Sequence, residues 1–279
     1  MMADQGATAK PRSELALRVV SSLVLAPLVL GATWYGGWPF GLLWLVAAVA
    51  VWWEWCGLVD QPSRWTVFAL GTVGIVIAAL ALEFRQSLIA IGVLLATTVL
   101  ATALAAARRE WSGAGVIYSG AVALSPVMLR QDSEWGLVAI VLLFAVVWGT
   151  DIAGYFGGRA IGGPKLWPAV SPKKTWSGAL SGLALTLVLS VLLGWIAGVR
   201  SVVVLALVGI VLSAVSQAGD LFESSMKRHF GAKDSGNLIP GHGGVMDRLD
   251  GFIFAAAAAL LIGLAHTGLE SPSRGLLIW

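Results

Sequence analysis

Sulfur and charge are both scarce in this chain. A single cysteine, Cys56, stands among 279 residues, so no disulfide closes within the chain and no cysteine-rich zinc site can be assembled. Cys56 falls in an apolar segment and counts there as a small hydrophobe. Histidine is nearly as rare: His229, His242 and His266 occur without the HxxxH spacing of a helical zinc centre. A Gly-Lys-Ser/Thr triplet is missing too. The glycine-rich stretch DIAGYFGGRAIGGPK meets Pro164 directly after Gly163, which excludes a Walker phosphate loop. Charged residues make up only 12% of the chain, and a net charge of +3 is too small a basic excess to imply a nucleic-acid partner. No soluble-type repeat or low-complexity linker divides the sequence, so residues 1–279 are expected to form one integral domain.

What abounds is hydrophobic surface. With 58% hydrophobic residues and a mean hydropathy of +0.85, the chain has more apolar side chains than a soluble globule can bury. The expectation is an all-α, polytopic integral membrane protein. Spans of about 20 apolar residues fall near 15–33, 39–59, 66–83, 86–106, 112–129, 135–150, 177–199, 201–219 and 247–267. An eight- or ten-span alternative stays open, because the segment 112–129 is short and holds Pro126. The start, MMADQGATAKPRSELALR, is polar and basic and leads into an apolar run without a small-residue cleavage site, so the first span is read as uncleaved.

Placing the N-terminus in the cytoplasm sorts the 18 basic residues. Lys10, Arg12, Arg18, Arg64, Arg108, Arg109, Arg159, Lys165, Lys173, Lys174, Lys227, Arg228, Lys233 and Arg248 fall inside; Arg85, Arg130, Arg200 and Arg274 fall outside. That bias matches the preference of Lys and Arg for cytoplasmic loops, and it puts the C-terminus outside. Trp34, Trp38, Trp52, Trp53, Trp55, Trp111, Trp135, Trp176 and Trp279 lie near span ends, where an interfacial aromatic belt is expected.

The two halves differ. Residues 1–134 read as apolar scaffold spans in contact with membrane lipids. Residues 135–279 carry two long inside loops, 151–176 and 220–247, rich in Asp, Lys, Gly and Pro, and function is expected there. Asp151 and Asp220 end apolar runs, and Glu223, Asp247 and Asp250 follow in the second loop. Such carboxylates suit a hard cation, because Mg²⁺ takes oxygen ligands and commonly pairs one or two carboxylates with substrate phosphates. In PGHGGVMDRLDG, Gly241, Gly243 and Gly244 precede an apolar helix, where backbone N–H groups and the positive helix end favour an anion. Lys227, Arg228, Lys233 and Arg248 add full positive charges, and SPKKT supplies Ser171, Lys173, Lys174 and Thr175 as phosphate-binding candidates. His242 is a phosphate donor or a plain loop residue. Glu54, at the end of the second span, is an interface carboxylate or an inward hydrogen-bonding group. Together these are the parts needed to bind and activate a polyphosphate.

The pattern S-x-x-K-R-x(4)-K-D-x(4)-I-P-G-H-G-G-x-x-D-R-x-D, written here from Ser224 to Asp250, resembles the signature of the phosphatidate cytidylyltransferases, or CDP-diacylglycerol synthases. Asp151, Ala153, Tyr155, Gly158, Gly162, Ser171, Pro172, Lys173, Lys174, Thr175 and Gly178 match a second stretch typical of that family. The likeness covers roughly the C-terminal half. One departure is Ser177, where the family usually has Glu. The resemblance implies CMP transfer from CTP to phosphatidic acid, giving CDP-diacylglycerol and pyrophosphate. It also implies Mg²⁺ on Asp220 and Asp247, with Asp250 a further candidate and a second cation left open, and a homodimer joined through the spans. The site would face the cytoplasm from a bacterial inner membrane. In-line attack by the lipid phosphate needs no protein nucleophile. Two other readings remain beside it: a CTP-dependent enzyme for another lipid (ether lipid or prenol), and a transporter, which mid-span charges would favour.

Overall fold

The structure is a computed structural model that describes residues 11–241 and 243–279. Lys10 and His242 lie outside the described residues, as do the side chains of residues 11–16 and Arg18. The elements run α1 (Pro11–Tyr35), α2 (Gly37–Val59), α3 (Arg64–Glu83), α4 (Ser87–Leu104), α5 (Arg109–Arg130), α6 (Gly136–Ile161), β1 (Lys165–Trp167), β2 (Ser171–Thr175), α7 (Trp176–Ile196), α8 (Val202–His229), α9 (Met246–Thr267) and α10 (Pro272–Leu277). Among the described residues, α2 to α9 are eight helices long and apolar enough to cross a membrane, and α1 adds the shorter apolar stretch Val19–Tyr35. All-α is the right class: the two short strands form one antiparallel hairpin.

Helix α5 sits at the centre although it is among the least apolar. Small residues explain this, since a Cβ on Gly115 would stand 2.3 Å from the Trp55 ring and one on Gly120 would meet Leu94 at 2.4 Å. Pro126 does not break the helix, which continues to Arg130. Trp52 and Trp55 are wholly buried against it and donate to the carbonyls of Phe68 (3.0 Å) and Trp111 (2.8 Å). These two tryptophans therefore belong to the core and not to the interfacial belt expected of them, because their indole N–H groups find carbonyl partners inside the protein. Trp34, Trp38 and Trp176 are exposed, as a belt requires.

Both expected loops begin as helix. Helix α6 runs past Asp151 to Ile161, and α8 runs past Asp220 to His229. Hydropathy marks where lipid contact ends, whereas helical hydrogen bonding continues into polar sequence at no cost in a wet region. Close packing with α7 supports the extension of α6: a Cβ on Gly157 would lie 2.1 Å from Ser181 Oγ. The helix stops where Gly162 and Gly163 take positive φ (68° and 100°) ahead of Pro164. The last turn of α8 carries Lys227, Arg228 and His229, which suit the negative end of the helix dipole.

Candidate active site

The last turns of α6 and α8, the β1–β2 hairpin and the first turns of α7 and α9 meet at one end of the bundle. Asp220 projects from α8, and Lys174 of β2 donates its ammonium to Asp220 Oδ2. Ser224, one turn along, donates to Oδ1 (3.4 Å). Asp250, on the second turn of α9, accepts from the Gly251 N–H (2.7 Å). The charges of Asp151, Asp220 and Asp250 act repulsively on one another, with Lys174 as the shared counter-charge and Arg248 acting on Asp151.

Asp247, three residues before Asp250 on the same helix, is held differently. Its Oδ1 takes the Lys227 ammonium (2.6 Å), while Oδ2 accepts from the Ser235 hydroxyl (2.9 Å), the Ser235 N–H (3.0 Å) and the Gly244 N–H (2.8 Å). Lys227 also reaches Glu223 Oε2 (2.7 Å), and the Glu223 and Asp247 side chains are only 1% and 7% exposed. A buried ammonium held by two buried carboxylates is strongly fixed, because removing any one member leaves an uncompensated charge.

The glycine loop folds as a tight turn. Gly241 and Gly243 have φ of 76° and 83°, and Ile239 N–H donates to Gly243 O (2.9 Å). Gly244 differs from the expectation of an open anion donor, because its N–H is spent on Asp247. The next two N–H groups, of Val245 and Met246, donate to Glu54 Oε1 (2.9 Å) and Oε2 (2.8 Å). The start of α9 is thus already capped by protein carboxylates. Thr175 likewise serves as the N-cap of α7, its hydroxyl accepting from Gly178 N–H (3.2 Å). Ser177, at the departure from the family pattern, donates to Gly162 O and lies 3.0 Å from Thr175 Oγ1, closing the hairpin onto the end of α6.

Beside the carboxylates opens a cavity of about 570 Å³, large enough for a nucleotide-sized ligand. Arg159, Lys165, Lys173 and Lys174 bring four cations to its wall, opposite Asp151 and Gln217. Of these, Arg159, Lys165 and Gln217 escape sequence reasoning as site residues. The first two look like any inner-end basic residue, and the one sign for Gln217 is a polar amide three positions before Asp220. Ser171 pairs with Trp167 in the hairpin. Arg228 donates to Ala232 O (3.0 Å) and, with Lys233, is exposed at the end of α8. His229 stacks on Trp111 (ring centroids 5.3 Å), and His266 lies against Trp279 at the opposite end of the bundle.

Among the described residues no three His, Cys, Asp or Glu side chains converge on one metal position. The donor chemistry nevertheless fits Mg²⁺. All candidate donors are hard oxygens, and a Mg²⁺ shell is normally completed by water and substrate phosphate. Asp220, bonded to Lys174 and Ser224, keeps acceptor capacity, whereas Asp247, filled by Lys227, Ser235 and Gly244, would take a metal only in exchange for one of these partners.

The model of the cytidylyltransferase family matches residues 16–265, so the likeness extends well beyond the C-terminal half. The chain is 42% identical over 265 residues to a phosphatidate cytidylyltransferase of Brucella suis biovar 1 (strain 1330), covering 94% of this chain and 97% of that one. It is 43% identical over 255 residues to that of Brucella abortus biovar 1 (strain 9-941), covering 90% and 94%. With the phosphatidate cytidylyltransferase of Bacillus subtilis (strain 168) it shares 42% over 129 residues, 46% and 48% of the two chains. The family model spans residues 16–265, and the relatives from Brucella are 42–43% identical over at least nine-tenths of both chains; this chain belongs to the cytidylyltransferase family.

Proposed function

We infer that this protein is a phosphatidate cytidylyltransferase, transferring CMP from CTP to phosphatidic acid to give CDP-diacylglycerol and pyrophosphate. The observation that carries the reading is the four-cation cavity opening beside Asp220 in a chain whose full-length relatives bear that name. Arg159, Lys165, Lys173 and Lys174 hold phosphate oxygens and offset their charge. An oxygen of the phosphatidate phosphate attacks the α-phosphorus of CTP, the bond from that phosphorus to the β-phosphate oxygen breaks, and pyrophosphate departs with the electron pair. The attacking group is already an anion at neutral pH, so neither a protein nucleophile nor a strong general base is needed, and catalysis rests on positioning and charge neutralisation. Mg²⁺ held by Asp220 and Asp247, with Asp250 beside them, would supply further positive charge to the triphosphate. Arg228, Lys233 and Arg248, exposed near the C-terminal end of α8 and the start of α9, add to the positive potential that draws a polyanion in.

The placement suits a lipid acceptor. A site at helix ends meets the phosphate at head-group level while the acyl chains stay in the bilayer and CTP arrives from water. The inner-end bias of Lys and Arg and the bacterial relatives support an inner-membrane protein with this site on the cytoplasmic face. A homodimer joined through the spans follows from the family resemblance.

The test uses purified protein in mixed micelles with phosphatidic acid, labelled CTP and Mg²⁺, beside an Asp220→Asn control. Label entering the lipid phase in step with pyrophosphate, lost without Mg²⁺ and in the control, is the expected result. CTP binding without lipid label from phosphatidate would assign a different lipid acceptor, and no CTP binding would overturn the reading.

A further inference from the structure

Glu54 lies in α2, far in sequence from every motif of the site, and is only 3% exposed. Among the described residues it forms no ion pair with Lys, Arg or His. A buried, unpaired carboxylate in an apolar helix is expensive to keep, so its partners should explain it. They all belong to the loop and helix that carry the signature. Val245 N–H and Met246 N–H donate to it at 2.9 and 2.8 Å, and the Ser235 hydroxyl stands 3.1 Å from Oε2. Helix α9 has no side-chain cap of its own at Val245, so Glu54 serves as a cap supplied from another helix.

The loop is shaped around this carboxylate. A Cβ on Gly236 would lie 2.7 Å from Glu54 Oε1 and one on Gly244 2.6 Å from Oε2, so both glycines admit the side chain. Ser235 then links it to the site, because the hydroxyl that faces Glu54 also lies 2.9 Å from Asp247 Oδ2. One hydroxyl proton serves two carboxylates, and the orientation of Asp247 is tied through it to a residue of the N-terminal half.

We propose that Glu54 is a positioning residue for the transfer reaction: its carboxylate, through the Val245 and Met246 N–H groups and the Ser235 hydroxyl, fixes the first turn of α9 and so the placement of Asp247 and Asp250. This rests on the assignment of the reaction to that end of the bundle. Glutamine at 54 keeps the shape but presents an amide donor to backbone donors, so the first turn of α9 shifts. Aspartate keeps the charge on a shorter stem and restores part of the contact.

The experiment measures kcat, KM for CTP and the thermal unfolding midpoint in detergent for full-length Glu54→Gln, Glu54→Asp, Ser235→Ala and the Glu54→Gln/Ser235→Ala double variant. An Asp220→Asn control runs alongside. The expected result for Glu54→Gln is a fall in kcat per folded protein of about 10- to 100-fold with little change in KM, the usual cost of misplacing a reacting group. Glu54→Asp recovers part of it, and the double variant is hardly worse than Glu54→Gln alone, because both act through one hydroxyl. Wild-type kcat per folded molecule in Glu54→Gln, or effects of Glu54→Gln and Ser235→Ala that simply multiply, would overturn the proposal. If Glu54→Gln does not fold, Glu54→Asp decides: wild-type kcat there reduces Glu54 to a folding role and overturns the proposal as well. Activity retained in Asp220→Asn would instead sink the site assignment, so the two failures are distinguishable.

Discussion

The two ends of the helix bundle are both rich in polar groups, yet they use them differently. At the end away from the cavity, Arg130 donates to the carbonyls of Thr33 (2.9 Å) and Trp34 (3.2 Å), Gln131 donates to Leu82 O (2.7 Å), and Asp132 accepts from Ser271 and the Trp135 N–H. Each charge or amide there closes a gap between helices. At the cavity end, Asp151, Asp220 and Asp250 repel one another around a single ammonium, and four cations line open space. Satisfied polar groups hold the bundle together; incompletely compensated ones are free to answer a ligand. Asp247 belongs to both kinds, since it sits in the site and is as fully bonded as any group at the far end.

The largest expected effect sharpens this contrast at the open site. Asp220→Asn should lower turnover by about a thousandfold, the scale on which electrostatic partners of a phosphoryl transition state act. The unfolding midpoint should hold, because the Asp220 side chain is 28% exposed and bonded mainly to Lys174, itself 31% exposed in the cavity wall. A variant that loses stability and activity together would place Asp220 with the structural groups. Asp247→Asn should match that loss of turnover and also lower stability, because it strips charge from a carboxylate buried against Lys227; breaking such a pair costs roughly 3–5 kcal/mol. Paired measurements of turnover and unfolding midpoint on the two variants therefore separate a binding carboxylate from one that also carries the fold.

A smaller effect is expected at the cavity wall. Arg159→Ala should raise KM for CTP by about tenfold, near the 1.4 kcal/mol that a charge-assisted phosphate contact contributes, with kcat less affected. Steady-state kinetics at varied CTP check it, and an unchanged KM would move the triphosphate out of the cavity.

Much of the architecture was legible in the sequence because transfer into lipid is a sum over residues. Among the described residues, eight of the nine apolar runs became helices long and apolar enough to cross a membrane and the first became the shorter apolar stretch of α1, while the residues of the S-x-x-K-R to D-R-x-D signature gather at one end of the bundle. What hydropathy does not encode is continuity of backbone hydrogen bonds, so Asp151 and Asp220 were expected at loop edges and lie within α6 and α8. Nor does composition say whether an aromatic faces lipid or protein, which is why Trp52 and Trp55 looked like interface residues. The cap roles of Gly244, Thr175 and Glu54 depend on which helices are neighbours. Glu54 and Val245 are 191 positions apart, and no local pattern announces their contact.

The smallest expected effect tests the quiet end. Burial alone would push the Asp132 carboxyl up, but the Ser271 hydroxyl, the Trp135 and Glu134 N–H groups and the Arg274 charge together hold it below the usual carboxylate range. A carboxyl depressed in the folded state contributes stability above its unfolded-state value, about 3.9, and loses that contribution as pH falls through the folded-state value. Asp132→Asn should therefore lower the unfolding midpoint modestly near pH 7, and the gap from wild type should narrow as the solution is acidified below pH of about 4. Turnover per folded protein at neutral pH should stay near wild type, because Asp132 and its partners lie at the end of the bundle away from the cavity. A gap that is constant from neutral to acid pH would mean the side chain acts by shape and not by charge. A large loss of turnover would erase the distinction between the two ends, by showing that hydrogen bonds made on the far side of the bundle are felt at the cavity through α5 and α9.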